Sequence, residues 1–450
     1  MKTRNSTAKS NLGVHIGAAA SLPTMAPIIA MLGAPVWAQD VADLERRVEA
    51  LQAEVETLKS SRAPEAEEDN PYLLKDGDGI RIGDTTVSFG GFIKADAIIG
   101  SNGDGTENAY SVGLPRAFAA YARSDENDWQ VGFTARESRF SFGTATVDVL
   151  DAVLTTYLEM DFNDNASGDG NEIVSNSYNP RLRQAFGSWK GWTIGQTYTT
   201  FSNLATLPEI LNQGKMAGFI YTTQALIRYT MAVPGGKLLM SLENPEDASS
   251  SFEYADELAF AGDTLYDDQS IPDIVARYDI TGDYGVYSVA GLVRRIDSRT
   301  DEAWTGAGSL SARIPTIGKD DVRLQYSYGA LGRYMGLYLY PDSNYIAEMA
   351  TGGDVDPFDS QGITAAYRHF WTAAWRSTLS VSHTEAVDDP FTTGTLGGLD
   401  SATSTHANLI WTPHPNMTYG IEYAYWDFDT YNKPGSDQYQ QAMLSAQFQF

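Results

Sequence analysis

The sequence predicts an all-β fold: a 16-stranded antiparallel transmembrane β-barrel preceded by a short N-terminal α-helical coiled coil. Three observations predict it. The N-terminus is that of an exported chain, with no later apolar run long enough for a membrane helix. Period-two alternation continues to the last residue, and the connections between alternating segments switch between short and long.

Residues 1–38 have the parts of a secretory signal peptide. Lys2, Arg4 and Lys9 form a basic start, an apolar stretch runs from Leu12 to Leu32, and Val36-Trp37-Ala38 supplies a small-residue cleavage site. No later stretch approaches the roughly 18 consecutive apolar residues of a spanning helix. The exported protein is therefore either soluble in the periplasm or a barrel. The 25 Tyr, 18 Phe and 9 Trp suit aromatic girdles, and the absence of Cys leaves no disulfide to staple the fold in an oxidising compartment. A net charge of −27 argues against nucleic acid as a partner, because phosphate binding needs clustered Lys and Arg. The simplest account of the acidity is loops that keep the molecule apart from its neighbours.

Residues 39–62 follow as a coiled coil. Val41, Leu44, Val48, Leu51, Val55 and Leu58 alternate spacings of three and four, the a and d positions of parallel helices, with Glu54 placed to reach Lys59 of a neighbouring chain. So short a coil is marginal alone, and Val at a with Leu at d leans toward dimers. A lone amphipathic helix is the other interpretation. Pro64 ends the helix, and residues 63–85 form a linker, acidic from Glu65 to Asn70.

From residue 86 to 450 the period changes to two. Sixteen segments alternate, at about 86–99, 130–143, 150–162, 180–189, 191–199, 222–232, 236–243, 273–280, 284–296, 304–314, 320–329, 360–370, 373–385, 403–412, 416–427 and 438–450. Connections after even-numbered segments are short, such as Lys190-Gly191, Val233-Pro234-Gly235 and Pro413-His414-Pro415, whereas those after odd-numbered ones are usually long. A barrel with periplasmic turns and external loops has this pattern, and sandwiches and propellers have no reason for it. An even count puts both ends of the barrel, and hence the coil, on the periplasmic side.

Parity assigns the two faces. An Arg facing lipid at the bilayer midplane costs about 2–4 kcal/mol, so the charged side of each segment must be the lumen. This places Lys94, Arg139, Arg181, Arg183, Arg228, Arg277, Arg294, Arg323 and Arg368 inside, with Arg376 and with Asp96, Glu137, Glu159, Asp161, Glu243 and Glu422. The parity of Gln196 is ambiguous. Between Pro245 and Ile271 there are eight acidic residues and no Lys or Arg, so the acidic excess lies in the external loops. A lumen rich in guanidinium groups favours anionic solutes, unless each Arg is neutralised by a wall carboxylate. Residues 200–221 lack alternation and contain Pro208. Folded inward as a constriction loop, they would present Glu209, Asn212, Gln213 and Lys215 to the arginines; an ordinary external loop is the alternative.

At the C-terminus Leu444, Ala446, Phe448 and Phe450 face one way and Met443, Ser445, Gln447 and Gln449 the other. The terminal Phe450 resembles the signal by which the barrel-assembly machinery recognises its clients.

The exported coil, Gly-Gly-Phe-Ile-Lys-Ala-Asp-Ala (90–97), Arg-Glu-Ser-Arg-Phe-Ser-Phe (136–142), Tyr-Leu-Glu-Met-Asp-Phe (157–162), Arg-Leu-Arg-Gln-Ala-Phe (181–186) and Asn-Leu-Ile-Trp-Thr-Pro (408–413) together resemble the DcaP-like trimeric outer-membrane porins. The resemblance runs from the coil to Phe450. It implies a homotrimer in the outer membrane of a Gram-negative cell, among its lipids and lipopolysaccharide, with the coil in the periplasm. It also implies passage of small anionic solutes, aromatic dicarboxylates included, through an arginine-rich constriction, with no cofactor and no metal. Gly329 to Tyr334 departs from the more glycine-rich turn expected there, which leaves the role of Arg333 open.

Two other functions compete. An outer-membrane hydrolase needs a nucleophile, a base and an orienting group. His414 lies in a two-proline turn and His369 and His383 on the lipid-facing parity, which leaves His406 with Asn408 and no serine near them in sequence. No clustered ligands suggest metal catalysis. A non-conducting tether between outer membrane and cell wall is the second rival, distinguished from a channel by the absence of current.

Overall fold

In hydrocarbon every backbone N–H and C=O must find a protein partner, so alternating strands are stable there only as a closed ring. The computed structural model shows that ring. It describes residues 79–101, 129–163, 177–212, 216–246, 269–297, 301–336, 340, 342–343, 354–387, 399–430 and 436–450. The signal peptide, the coiled coil from Val41 to Leu58, most of the linker, Gln213 and Lys215 lie outside the described residues.

The strands are β1 (Ile80–Ile82), β2 (Thr85–Ser101), β3 (Trp129–Thr134), β4 (Arg139–Thr146), β5 (Leu154–Asp161), β6 (Arg181–Trp189), β7 (Trp192–Tyr198), β8 (Thr223–Val233) and β9 (Gly236–Glu243). They continue as β10 (Asp273–Gly282), β11 (Gly285–Asp297), β12 (Glu302–Pro315), β13 (Asp321–Gly329), β14 (Ser360–Phe370), β15 (Trp375–Ala386), β16 (Leu399–His414), β17 (Met417–Thr430) and β18 (Ser436–Gln449). Each pairs antiparallel with its neighbours, and β18 closes on β2, with Ser445 opposite Asp96 and Phe448 opposite Ile93. The eighteen strands of the sheet make a wall of sixteen. β1 is a three-residue arm folded onto the start of β2, and β3 and β4 both pair with β2 as halves of one wall strand.

That division departs from the continuous 130–143 segment expected. Ser138 N donates to Ala135 O at 3.0 Å in a tight turn between the halves. Across the gap the Ser138 hydroxyl accepts from Lys94 N at 3.0 Å and donates to Lys94 O at 3.2 Å, so a side chain replaces the missing rung. The next strand starts at Leu154 rather than at 150. Asp148, Leu150 and Asp151 have positive φ, which turns the chain, and Trp189 Nε1 donates to Val149 O at 2.9 Å. His414 ends β16 instead of sitting in a turn; a register shift between Trp411 and His414 accommodates Pro413, which has no ladder donor. The Lys190-Gly191 hairpin is as expected, both residues having positive φ (48° and 83°), as a type I′ turn requires.

The two faces follow parity. Ile274, Val289, Leu310, Ile363 and Leu444 are exposed outward, while Lys94, Asp96, Arg277, Arg294 and Arg323 are buried inward. Gln196 takes the outward parity, beside Trp192 and Ile194. At the short-turn end the rings of Trp375, Trp411, Tyr419 and Phe448 touch in sequence at 5.6, 5.5 and 6.0 Å, part of an interfacial girdle. Phe450 completes this seam: its N–H donates to Gly91 O at 3.1 Å and its ring lies 5.8 Å from that of Phe140.

Leu310→Arg, which puts a cation on the lipid face, is expected to lower folding stability by about 2–4 kcal/mol. Urea titration in liposomes, followed by gel mobility of unboiled samples, measures this; no loss would mean that the face does not meet lipid.

Candidate functional site

The connection from Tyr198 to Thr223 turns into the barrel instead of out of it. Its backbone is held by wall side chains on the far side. Leu211 N donates to Glu422 Oε2 at 2.7 Å, Ala217 N to Ser404 Oγ at 3.1 Å, Gly218 N to Ser382 Oγ at 3.0 Å and Ile220 N to Gln325 Oε1 at 2.9 Å. Leu211 O accepts from Lys94 Nζ at 3.0 Å, and Asn212 Nδ2 donates to Gln441 Oε1 at 3.1 Å. Gly218 lies so close to β15 that an added Cβ would meet His383 O at 2.3 Å. These bonds explain why polar Ser, Gln and Glu occupy buried wall positions: a loop without a ladder of its own needs partners for its N–H groups.

Glu209 is a loop carboxylate that meets two of the arginines. Arg376 donates to it through Nε at 2.9 Å and Nη2 at 2.7 Å, and Arg368 Nη1 lies 3.2 Å away. Behind these, Asp321 accepts from Arg323 Nε at 2.6 Å and from Arg368 Nε at 3.1 Å, with Arg313 Nε at 3.5 Å. Among the described residues four guanidinium groups thus share two carboxylates, a local positive excess. Burial alone pushes the Glu209 carboxyl upward, but the hydrogen bonds and charges of Arg376 and Arg368 outweigh it and hold the group below the ordinary Glu range.

A second cluster lines β4–β7. Arg183 donates through Nε to Glu159 at 2.8 Å, through Nη1 to Asp161 at 3.0 Å and through Nη2 to the Tyr198 hydroxyl at 2.9 Å. Arg181 pairs with Asp161 at 2.8 Å, and Arg139 lies 3.9 Å from Glu159. A bulge opposite Glu159 and Met160 lets Arg183 and Gln184, adjacent in sequence, both be buried on this side. Gln196 steadies the bulge from outside by donating to Leu182 O at 3.2 Å and Arg183 O at 3.4 Å.

The other cations divide. Lys94 pairs with Glu137 and, at 3.2 Å, with Asp96. Arg277 grips Asp279 at 2.9–3.1 Å and donates to Thr200 O at 2.9 Å, and Arg294 pairs with Asp342. Arg228 donates to Tyr198 O at 3.4 Å, and among the described residues no carboxylate lies within ion-pair distance of it. The lumen is therefore a set of ion-paired clusters with local cationic excess rather than a ladder of bare arginines. Sequence reasoning missed Arg313, Tyr198 and Tyr221; strand parity was the available signal for Arg313.

Comparison with known proteins agrees with this barrel fold. The model of the DcaP outer membrane protein family matches residues 75–445. This chain belongs to the DcaP outer membrane protein family. The outer membrane channel DcaP of Acinetobacter baumannii superposes with a TM-score of 0.69 at 19% identity, covering 83% of this chain and 100% of that one. An anion-selective porin from Comamonas acidovorans superposes with a TM-score of 0.52 at 10% identity, covering 81% of this chain and 100% of that one. No curated protein matches. DcaP membership places the chain among outer-membrane channels.

The hydrolase alternative finds little support. His406 Nδ1 lies 3.3 Å from Glu422 Oε1, and the fold brings Ser380 opposite His406 in register, a neighbour the sequence did not suggest. Both are 1% exposed, and Glu422 is occupied with the backbone of Leu211.

The lowered Glu209 pKa gives a pH dependence. Its contribution to holding the loop is fully present above the unfolded Glu value of about 4.3 and is lost as pH falls through the lower folded value. Single-channel recordings are expected to show an acid transition in current noise below that range, absent in Glu209→Gln, which lacks the clamp at every pH. An unchanged transition in the variant would exclude Glu209 as its origin.

Proposed function

We propose that this protein is a passive outer-membrane channel for small anionic solutes, aromatic dicarboxylates among them, working as a homotrimer with its coiled coil in the periplasm. The observation that carries this is the cluster of Arg313, Arg323, Arg368 and Arg376 around Asp321 and Glu209, the two carboxylates ion-paired with it among the described residues, on the lumen wall beside the inward loop. Arg323, Arg368 and Arg376 spend their nitrogens on Asp321, Glu209, Leu207 O and Thr412 and supply field, whereas Arg313, its side chain 39% exposed and 3.5 Å from Asp321, presents a planar fork suited to bidentate pairing with a passing carboxylate. In a chain of net charge −27, this cluster keeps a local positive excess on the lumen wall. The porin of Comamonas acidovorans is anion-selective, and we extend that preference to this chain. Fixed charge at a narrowing sets ion preference more strongly than charge spread over the surface.

Reversal potentials in a planar bilayer under a salt gradient test the assignment. The native channel is expected to prefer anions, and Arg313→Gln, Arg368→Gln and Arg376→Gln together to abolish most of that preference. Cation selectivity in the native protein would sink the reading, and a complete lack of current would favour the tether.

A further inference from the structure

The loop after β7 is not alone inside the barrel. In the connection after β13, Ala330, Leu331, Tyr334, Met335, Tyr340 and Asp342 are all buried. The apolar run from Tyr334 to Tyr340, out of place in a water-exposed loop, was the trace of this in the sequence. The two inward segments are joined backbone to backbone. Ile220 pairs antiparallel with Met335, Tyr221 N donates to Tyr334 O at 3.1 Å, and Gly336 N donates to Phe219 O at 3.0 Å. Thr222 Oγ1 adds a bond to Arg333 O at 2.6 Å, and Phe201 packs edge-on against the Tyr334 ring at 5.8 Å.

A buried charge cluster fastens the second segment to the wall. Asp273 Oδ2 on β10 accepts from Arg333 Nη2 at 3.0 Å and from the Tyr334 hydroxyl at 2.7 Å. Arg294 on β11 donates to Asp342 through Nη1, and its Nε lies 3.6 Å from Asp273 Oδ1. Among the described residues two guanidinium groups are ion-paired with two carboxylates here, a balance that the Glu209 region lacks. Buried, balanced ion pairs give little net stability over apolar packing but impose a single geometry, and losing one partner is costly.

We propose that the two inward loops narrow the passage jointly, and that Asp273, Arg294, Arg333 and Asp342 are positioning residues that latch the second loop and so set the pore's cross-section. This rests on the channel reading above. Because Asp273 and Arg333 carry opposite charges, neutralising both opens the latch without a change in net charge and alters how much passes rather than which sign of charge is preferred.

The test uses the full-length protein in liposomes. The chain has no Cys, so Ile220→Cys/Met335→Cys introduces a single thiol pair, and facing residues of an antiparallel bridge lie within disulfide reach. Loss of the latch in the charge-balanced Asp273→Asn/Arg333→Gln background is expected to slow oxidative cross-linking by about tenfold or more. Without the thiol pair, the same double variant is expected to raise solute-driven liposome swelling by about twofold or more with unchanged reversal potential. With the thiol pair, oxidation is expected to restore the native rate and dithiothreitol to reverse it. Unboiled gel mobility reports that the barrel is intact; if the double variant does not fold, Tyr334→Phe removes one bond to Asp273 and gives a smaller shift in the same direction. Equal cross-linking rates in both backgrounds, or native swelling in the variant, would overturn the proposal. No swelling by the native protein would instead overturn the channel reading, while the cross-linking rates would still decide whether the latch exists.

Discussion

Closure of the backbone hydrogen-bond ring is the constraint on which the rest of the molecule depends. Once β18 pairs with β2, the wall closes on itself and each wall residue is committed to one of two media. From that commitment follow the aromatic girdle, the outward Ile, Val and Leu, and the concentration of Arg, Asp and Glu within. The gap between β3 and β4 shows how strict the constraint is, since the Ser138 hydroxyl fills the place of a rung.

Inside the ring the problem is reversed. A wet lumen tolerates charge, but two loops fold into it and bring backbone groups that must be satisfied without a ladder. The wall answers with Glu422, Gln325, Ser382 and Ser404 for the backbone of the first loop, while Asp273 and Arg294 hold side chains of the second. Charged residues here do two kinds of work. Balanced pairs fix geometry, whereas the surplus around Asp321 and Glu209 provides field. The same residue types in the same alternation serve both, so composition does not separate them.

That difference explains what was legible in the sequence. Strand parity is a local property, and it correctly placed Lys94, Arg277 and Arg323 on the buried side and Leu444 on the exposed side. Turn chemistry is local too, as at Lys190-Gly191. Pairing of an Arg with a carboxylate on another strand or on an inward loop depends on register and on loop direction, which the period of a single strand does not encode. The split of 130–143 and the late start of β5 escaped notice because alternation continues through residues whose backbone leaves the ladder. The second inward loop escaped because its partners, from Phe219 to Thr222, lie more than a hundred positions away in the chain.

The bulge at Arg183 has a consequence that reaches beyond the lumen. The carbonyls it frees are taken up by Gln196, a side chain on the membrane-facing surface, so the aim of a charge inside the conduit is braced from the opposite side of a wall one residue thick. Sequence drift among annular positions that never meet a solute can therefore retune permeation, and relatives with identical inner linings need not conduct alike.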